Sequence, residues 1–428
     1  MMNRLSNEYA TAAELQIMEG FPPPADKRVN RSNAFWIPPY NRWSYQNMRM
    51  FFPTEGIPHA EKPSPLPKSI DPVIADLSVA KPDEHGRSSG TFVDMETYLK
   101  ETYTDALVVV QGDQIVYERY LNGMTPTQPH QMMSVTKSFA GLFALMAVED
   151  GLISEEDPVI KHLPELKSAT AFSDATFGQV LDMTNAMAFN EDYVDPESDV
   201  QNYVVVVGLN EPLPGRTYLG SIYEYLATLS KDSSYEHGDI FKYQTPKVDV
   251  VNWAVSRVTG MSYSENMYEK LWSLLGTESE AYILLDRNGT LFAGGGLNAP
   301  PNDLTRFAMM LANKGTFNGQ QIISPSIIQQ LKAGGSTEKF ANPSSVLQQL
   351  AGNVLGANEW SYRAYWWVRH TPGKEAFMAS GIHGQWIYVD VDRNIAIVKQ
   401  SSQPDSETEY SMAYDIFGFD AIVSYLSK

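Results

Sequence analysis

Two hairpin signals, one near each end of the chain, constrain the fold more than any other feature. Ala106 to Val110 reads as a short buried strand, and Ile115 to Tyr120 follows it after Gln111-Gly112-Asp113-Gln114. Far downstream, Ile382 to Val389 and Asn394 to Lys399 are strands joined by Asp390-Val391-Asp392-Arg393-Asn394. Apolar, β-branched runs broken by turn residues are the mark of antiparallel pairs. Between the two signals the period is helical. Val248, Val251, Ala254, Val255 and Val258 share one helical face that stops at Gly260, and Tyr263 to Leu275 is a second helix. Asp303 to Ala312 and Tyr414 to Leu426 are helical as well. The expected fold is therefore mixed α+β (α/β), an antiparallel sheet flanked by helices. Residues 76–165 and 286–428 would form the sheet domain and 166–285 an inserted, mostly helical domain.

Residues 1–75 fit neither part. They are rich in proline, asparagine and aromatics, as in Phe21-Pro22-Pro23-Pro24 and Phe35-Trp36-Ile37-Pro38-Pro39-Tyr40, and no helical or strand period persists. That aromatic load is unlike a disordered segment. The expectation is an ordered arm packed on the body. Trp360, Tyr362, Tyr365, Trp366 and Trp367 read as an aromatic band on one strand, one face in the core and the other on a crevice wall.

Composition narrows the function. The chain of 428 residues carries 51 acidic against 32 basic side chains, a net charge of −19. Such a surface repels phosphate backbones, so no nucleic-acid partner is expected. No run approaches the ~18 apolar residues of a membrane span, and the N-terminus lacks an apolar signal core. With no cysteine at all, thiolate chemistry and disulfides are excluded, and a cytoplasmic location is expected. His59, His85, His130, His162, His237 and His370 are scattered without ligand spacing, so no metal is expected.

The chemistry is suggested at Ser134-Val135-Thr136-Lys137. Phe139, Leu142, Phe143 and Met146 repeat on one helical face directly behind it, and Gly151 marks the stop. One turn brings residues i and i+3 side by side, with Cβ atoms roughly 5–6 Å apart. A serine hydroxyl needs a base within hydrogen-bond reach to act as a nucleophile. The positive end of the helix dipole disfavours an ammonium, and partial burial brings a lysine toward a pKa of about 7–8, where it works as that base. The competing reading is a helix cap with a surface lysine. Ser-x-x-Lys also occurs at Ser78 to Lys81, which runs into Pro82, and at Ser336 to Lys339, which reads as a solvated turn. Neither has an apolar helix behind it. No Gly-x-Ser-x-Gly elbow is read in the chain, so a Ser-His-Asp hydrolase on another fold is set aside as remote.

Two further segments, Phe241-Lys242-Tyr243-Gln244-Thr245-Pro246 and Ser380-Gly381-Ile382-His383-Gly384-Gln385, follow Ser134-x-x-Lys137 in order. This succession resembles the serine β-lactamase and penicillin-recognising superfamily, whose members carry Ser-x-x-Lys, then a tyrosine motif, then a Lys-Thr-Gly-type strand. Asn190-Glu191-Asp192-Tyr193-Val194-Asp195-Pro196, Gly294-Gly295-Gly296 and Asn302-Asp303-Leu304 extend the resemblance to the 6-aminohexanoate-dimer hydrolase group, collinearly over residues 90–428. The resemblance implies a β-lactamase-like fold and a serine hydrolase, an amidase or esterase acting on small amides or esters. It assigns Ser134 as nucleophile, Lys137 as base and Tyr243 as proton relay. The backbone N–H groups of Ser134 and Ile382 would form the oxyanion hole, and Tyr193 and His383 would touch substrate. It implies no cofactor, and a homodimer. Thr245 and Ile382-His383-Gly384 depart from the β-lactamase pattern, removing the cation that pairs with a β-lactam carboxylate, so a β-lactamase or penicillin-binding-like peptidase is the alternative. The loop Val204-Val205-Val206-Val207-Gly208-Leu209 is more apolar than its counterpart in the dimer hydrolases and is expected over the acyl pocket, which points away from the nylon dimer itself as substrate.

Overall fold

The computed structural model describes residues 8–341, 345–351, 356 and 359–428. Its centre is a seven-stranded antiparallel sheet made of β1 (Thr104–Gln111), β2 (Gln114–Tyr120), β3 (Trp360–Arg363), β4 (Trp366–Arg369), β5 (Ala376–Gly381), β6 (Gln385–Asp390) and β7 (Ile395–Ser401). Across the sheet they run β3-β4-β5-β6-β7-β1-β2. The two ends of the chain thus meet in mid-sheet, where Ile397 of β7 lies opposite Val109 of β1. Strands β5, β6 and β7 are buried along their whole length. This is why their sequences read as apolar runs rather than as an alternation.

Helices cover both faces. On one lies α5 (Glu409–Leu426), whose Phe419 packs against Trp386 and Tyr388, two residues apart on β6 and so on the same face. On the other lie α1 (Val135–Glu149) and α4 (Pro301–Ala312), joined by the stacked rings of Phe139 and Phe307, 4.4 Å apart. Twelve of the fifteen residues of α1 are buried, so the helix is apolar nearly all round rather than amphipathic. Each such large side chain contributes roughly 1.5–3 kcal/mol on burial. Two more helices, α2 (Asp199–Val207) and α3 (Pro246–Thr259), come from the middle of the chain; α2 takes in Val204 to Val207, read from the sequence as a loop, and α3 packs on α1. No helix among the described residues is long and apolar enough to cross a membrane.

A second, four-stranded sheet fixes the approach to Ser134. Its strands are Thr54–Ile57, Ala281–Leu284, Leu297–Ala299 and His130–Gln131, in that order. The first belongs to the N-terminal segment, in which the sequence showed no strand period. Four residues paired to a neighbour are too short to leave one. The same segment caps the edge of the large sheet, where Ser69 and Asp71 donate to the carbonyls of Ile115 and Val116.

Several boundaries differ from the sequence expectation. Ile382 to Val389 is not one strand: β5 ends at Gly381, residues 382–384 turn, and β6 begins at Gln385. His383 and Gly384 sit at φ 62° and 85°, a reversal that an apolar-run reading does not detect. The aromatic band is likewise two strands, reversing at Ala364 and Tyr365 with φ 47° and 66°. Tyr263 to Leu275 is helical with a wide turn at Tyr268–Trp272. Helix α5 begins at Glu409, ahead of its first strongly apolar stretch, because Thr408 and Ser411 cap it reciprocally. Ser336 caps a short helix, Thr337–Phe340, rather than lying in a solvated turn.

Candidate active site

Ser134 stands where the strand His130–Gln131 turns into α1. The turn is made by Met133, at φ 47°. A left-handed non-glycine residue costs about 1–3 kcal/mol and persists where its surroundings enforce it. Here Met132 donates to the Leu297 carbonyl at 2.8 Å, and the Thr136 hydroxyl accepts from Leu297 N–H at 3.0 Å, pinning both sides of the serine to the small sheet.

Lys137 follows one turn later, and 1 % of its surface is exposed. Its Nζ donates to Ser134 Oγ at 2.7 Å and to the Gly294 carbonyl at 2.5 Å. Burial lowers its pKa to about 8, and the carboxylates of Glu191 and Asp249 hold it from falling further. Tyr243 enters just before α3, and its hydroxyl shares a hydrogen bond with the Ser134 side chain. Its ring stacks on Trp367 at 5.6 Å and faces the Lys137 ammonium at 5.2 Å. Burial, with Glu191 nearby, pushes its pKa well above the ordinary tyrosine value. The phenol therefore stays protonated near neutral pH, leaving Lys137 as the group able to accept a proton from Ser134.

The Gly381–Ile382 end of β5 comes against this cluster. A Cβ on Gly381 would lie 2.6 Å from the Met132 carbonyl and 3.0 Å from Ser134 N, so only glycine permits the approach. That contact carries Ile382 to the wall of a narrow pocket beside Ser134 and Lys137. Tyr193 lines the same pocket and also a larger cleft of about 810 Å³ that contains Tyr243, Glu191 and Lys242. The Tyr193 hydroxyl donates to Glu191 at 2.8 Å. His383 is not brought to the cluster. It lines neither cavity, Nδ1 lies 2.8 Å from the Gln403 carbonyl, and the ring packs edge-on against Tyr45. Burial pushes its pKa down to about 4, so it is neutral.

Sequence reasoning did not single out two carboxylates. Glu191 accepts from Thr245 N–H at 2.9 Å and from its hydroxyl, joining the Tyr193 loop to the start of α3. Asp249, one turn into α3, accepts from the Tyr203 hydroxyl at 2.8 Å and from Gly294 N–H at 3.3 Å. It thereby holds the loop whose carbonyl receives Lys137. Burial raises the Asp249 pKa to about 7 and moves Glu191 upward too. The available signal was an acid between Val248 and Val250 in a buried helical run. Sequence reasoning also overlooks Gly86-Arg87-Ser88-Ser89-Gly90, which fits the Gly-x-Ser-x-Gly pattern. It leads into the exposed strand Ser88–Asp94, not into a strand-to-helix elbow.

Residues 94–417 match the family described as Beta-lactamase. The 6-aminohexanoate-dimer hydrolase of Paenarthrobacter ureafaciens is 32% identical over 374 residues, covering 87% of this chain and 88% of that protein. Among solved structures, a Bacillus anthracis protein assigned as a 6-aminohexanoate-dimer hydrolase superposes with a TM-score of 0.81 at 28% identity, covering 94% of this chain and 98% of the other. EstCE1, a hydrolase with promiscuous acyltransferase activity, shares the fold at a TM-score of 0.54 and 15% identity, over 76% of this chain and 96% of its own.

Proposed function

The chain belongs to the beta-lactamase family and is a hydrolase of the serine β-lactamase and penicillin-binding superfamily, and within it we propose a serine amidase or carboxylesterase that cleaves small linear substrates through an acyl-enzyme. The observation that carries this reading is the shared hydroxyl. Lys137 Nζ lies 2.7 Å from Ser134 Oγ, and the Tyr243 phenol bonds to the same side chain.

The steps follow from those contacts. Ser134 Oγ attacks the substrate carbonyl carbon while its proton passes to Lys137. The carbonyl oxygen becomes an anion and takes hydrogen bonds from the backbone N–H groups of Ser134 and Ile382. Such a donor is worth roughly 3–4 kcal/mol of barrier. Collapse breaks the carbon–nitrogen or carbon–oxygen bond. The leaving amine or alkoxide takes the Tyr243 proton, and the Lys137 ammonium restores the phenol. Water then attacks the ester, Lys137 accepts its proton, and the acid leaves as Ser134 recovers its own. Glu191 and Asp249 act by position, holding Thr245 and the Gly294 loop. The relative from Paenarthrobacter ureafaciens is named for a small linear amide, and that class is carried over here.

A β-lactam-directed reading draws no support from the β5–β6 turn. Ile382 stands where that pattern has its lysine, and the neighbouring His383 is buried and neutral. The test is direct: Ser134→Ala abolishes release of p-nitrophenol from short-chain esters, whereas unchanged turnover would refute the proposal.

A further inference from the structure

We propose that the N-terminal arm completes the acyl subsite, with Phe35 and Trp36 as its outer wall, and that this wall restricts the enzyme to short, uncharged acyl groups. The inference rests on the acyl-enzyme reading above. Two cavities share Tyr193 as a wall: Ser134 lines the smaller, Tyr243 lines the larger, and the proton donor tells them apart. The leaving group must face Tyr243, so it occupies the 810 Å³ cleft that Tyr243 lines. The acyl group is left with the other pocket, which Tyr243 does not line.

That pocket is narrow and apolar. Beside Ser134 its walls are Phe35, Trp36, Val200, Val204 and Phe292, and its free volume is about 30 Å³. This is room for roughly two water-sized groups. Val200 and Val204 are one turn apart on α2 and share a face. Trp36 meets the Tyr193 ring edge-on at 6.5 Å, closing the side toward the cleft. The arm is tied down where this matters. Arg31 donates to the Gly208 carbonyl at 2.6 Å, at the end of α2, and Ser44 Oγ donates to the Ala34 carbonyl at 2.5 Å. The nearest charged side chain in the pocket is Lys137. An ammonium on the acyl chain would meet apolar walls, which leave its desolvated donors without a partner.

The experiment measures kcat/KM of the full chain for p-nitrophenyl acetate, butyrate, octanoate and 4-aminobutyrate. Wild type is expected to fall steeply from acetate to octanoate and to take 4-aminobutyrate at least about tenfold more slowly than butyrate. In a hydrophobic pocket one methylene changes such ratios by about 10–200-fold. Trp36→Ala raises the octanoate-to-acetate ratio at least about tenfold. Val204→Leu, which adds volume from α2 rather than the arm, lowers the butyrate-to-acetate ratio. A Trp36→Ala profile that drops uniformly with its ratios unchanged would overturn the arm's role, as would wild type taking octanoate as well as acetate. Wild type that hydrolyses none of the esters and carries no adduct on Ser134 would remove the acyl-enzyme reading itself, and this inference with it.

Discussion

Lys137 can serve as a base because it is buried at the start of a helix. Its pKa is lowered to about 8, so at neutral pH most of it is ammonium and the competent amine is the minority. Raising the pH converts ammonium to amine. The expected kcat/KM profile therefore climbs from pH 6 and levels above a midpoint near 8; a flat profile between pH 6 and 9 would contradict this. Tyr243→Phe keeps the stack on Trp367 but removes the proposed proton donor. Acylation by amides should then slow by about 10²–10⁴-fold, the usual contribution of a positioned acid. Esters of p-nitrophenol, whose leaving group needs little protonation, should lose far less. Comparing the two substrate classes in single-turnover kinetics checks this. The Ser134–Lys137 pairing could be read in advance because its spacing is local, whereas Tyr243, from a remote segment, came only from the resemblance. Asp249 could not, since its partners Tyr203 and Gly294 come from remote segments.

At the scale of elements, the β5–β6 hairpin presents its turn to the start of α1. Gly381 is the contact point. Gly381→Ala would push the strand end off the Met132 carbonyl and Ser134 N, with about 1–3 kcal/mol of overpacking strain. It should lower kcat with little change in KM, because the proposed hole for the developing anion is what moves. Thermal unfolding and steady-state kinetics on one preparation measure both effects. The strands and helices themselves were legible in apolar period, as in Thr104–Gln111 and Pro246–Thr259. Their ends were not. The reversal at Ala364-Tyr365 is made by residues with side chains at positive φ, with no glycine or proline to announce it, and the one at His383-Gly384 hides its glycine inside what reads as one strand.

The whole molecule is closed by its N-terminal segment. Arg42, from the short helix Asn41–Ser44, makes a 3.0 Å ion pair with the fully buried Asp105 of β1, and Asn41 reaches the carbonyls of Ser402 and Gln403. Burial alone would raise the Asp105 carboxyl, but Arg42, His130 and Ser402 outweigh it and hold its pKa below the ordinary value. A carboxylate lowered on folding stabilises the protein above its unfolded pKa, and the gain is lost as pH falls through the folded one. Arg42→Ala strands that charge and should cost about 3–5 kcal/mol by denaturant unfolding at pH 7, with a shallower loss of stability toward acid than wild type. The anchoring, the strand Thr54–Ile57 and the place of Trp36 beside Ser134 all depend on contacts far apart in the chain. Aromatic content alone names none of these partners.

The central claim is that Ser134 carries the acyl group between two half-reactions. Intact-protein mass spectrometry of the rapidly quenched enzyme with p-nitrophenyl acetate, followed by peptide mapping, tests it most directly. A transient mass gain of one acetyl group on the peptide containing Ser134, absent from Ser134→Ala, is the predicted result. Turnover with no adduct on that peptide, or an adduct on another residue that decays at the turnover rate, would contradict it.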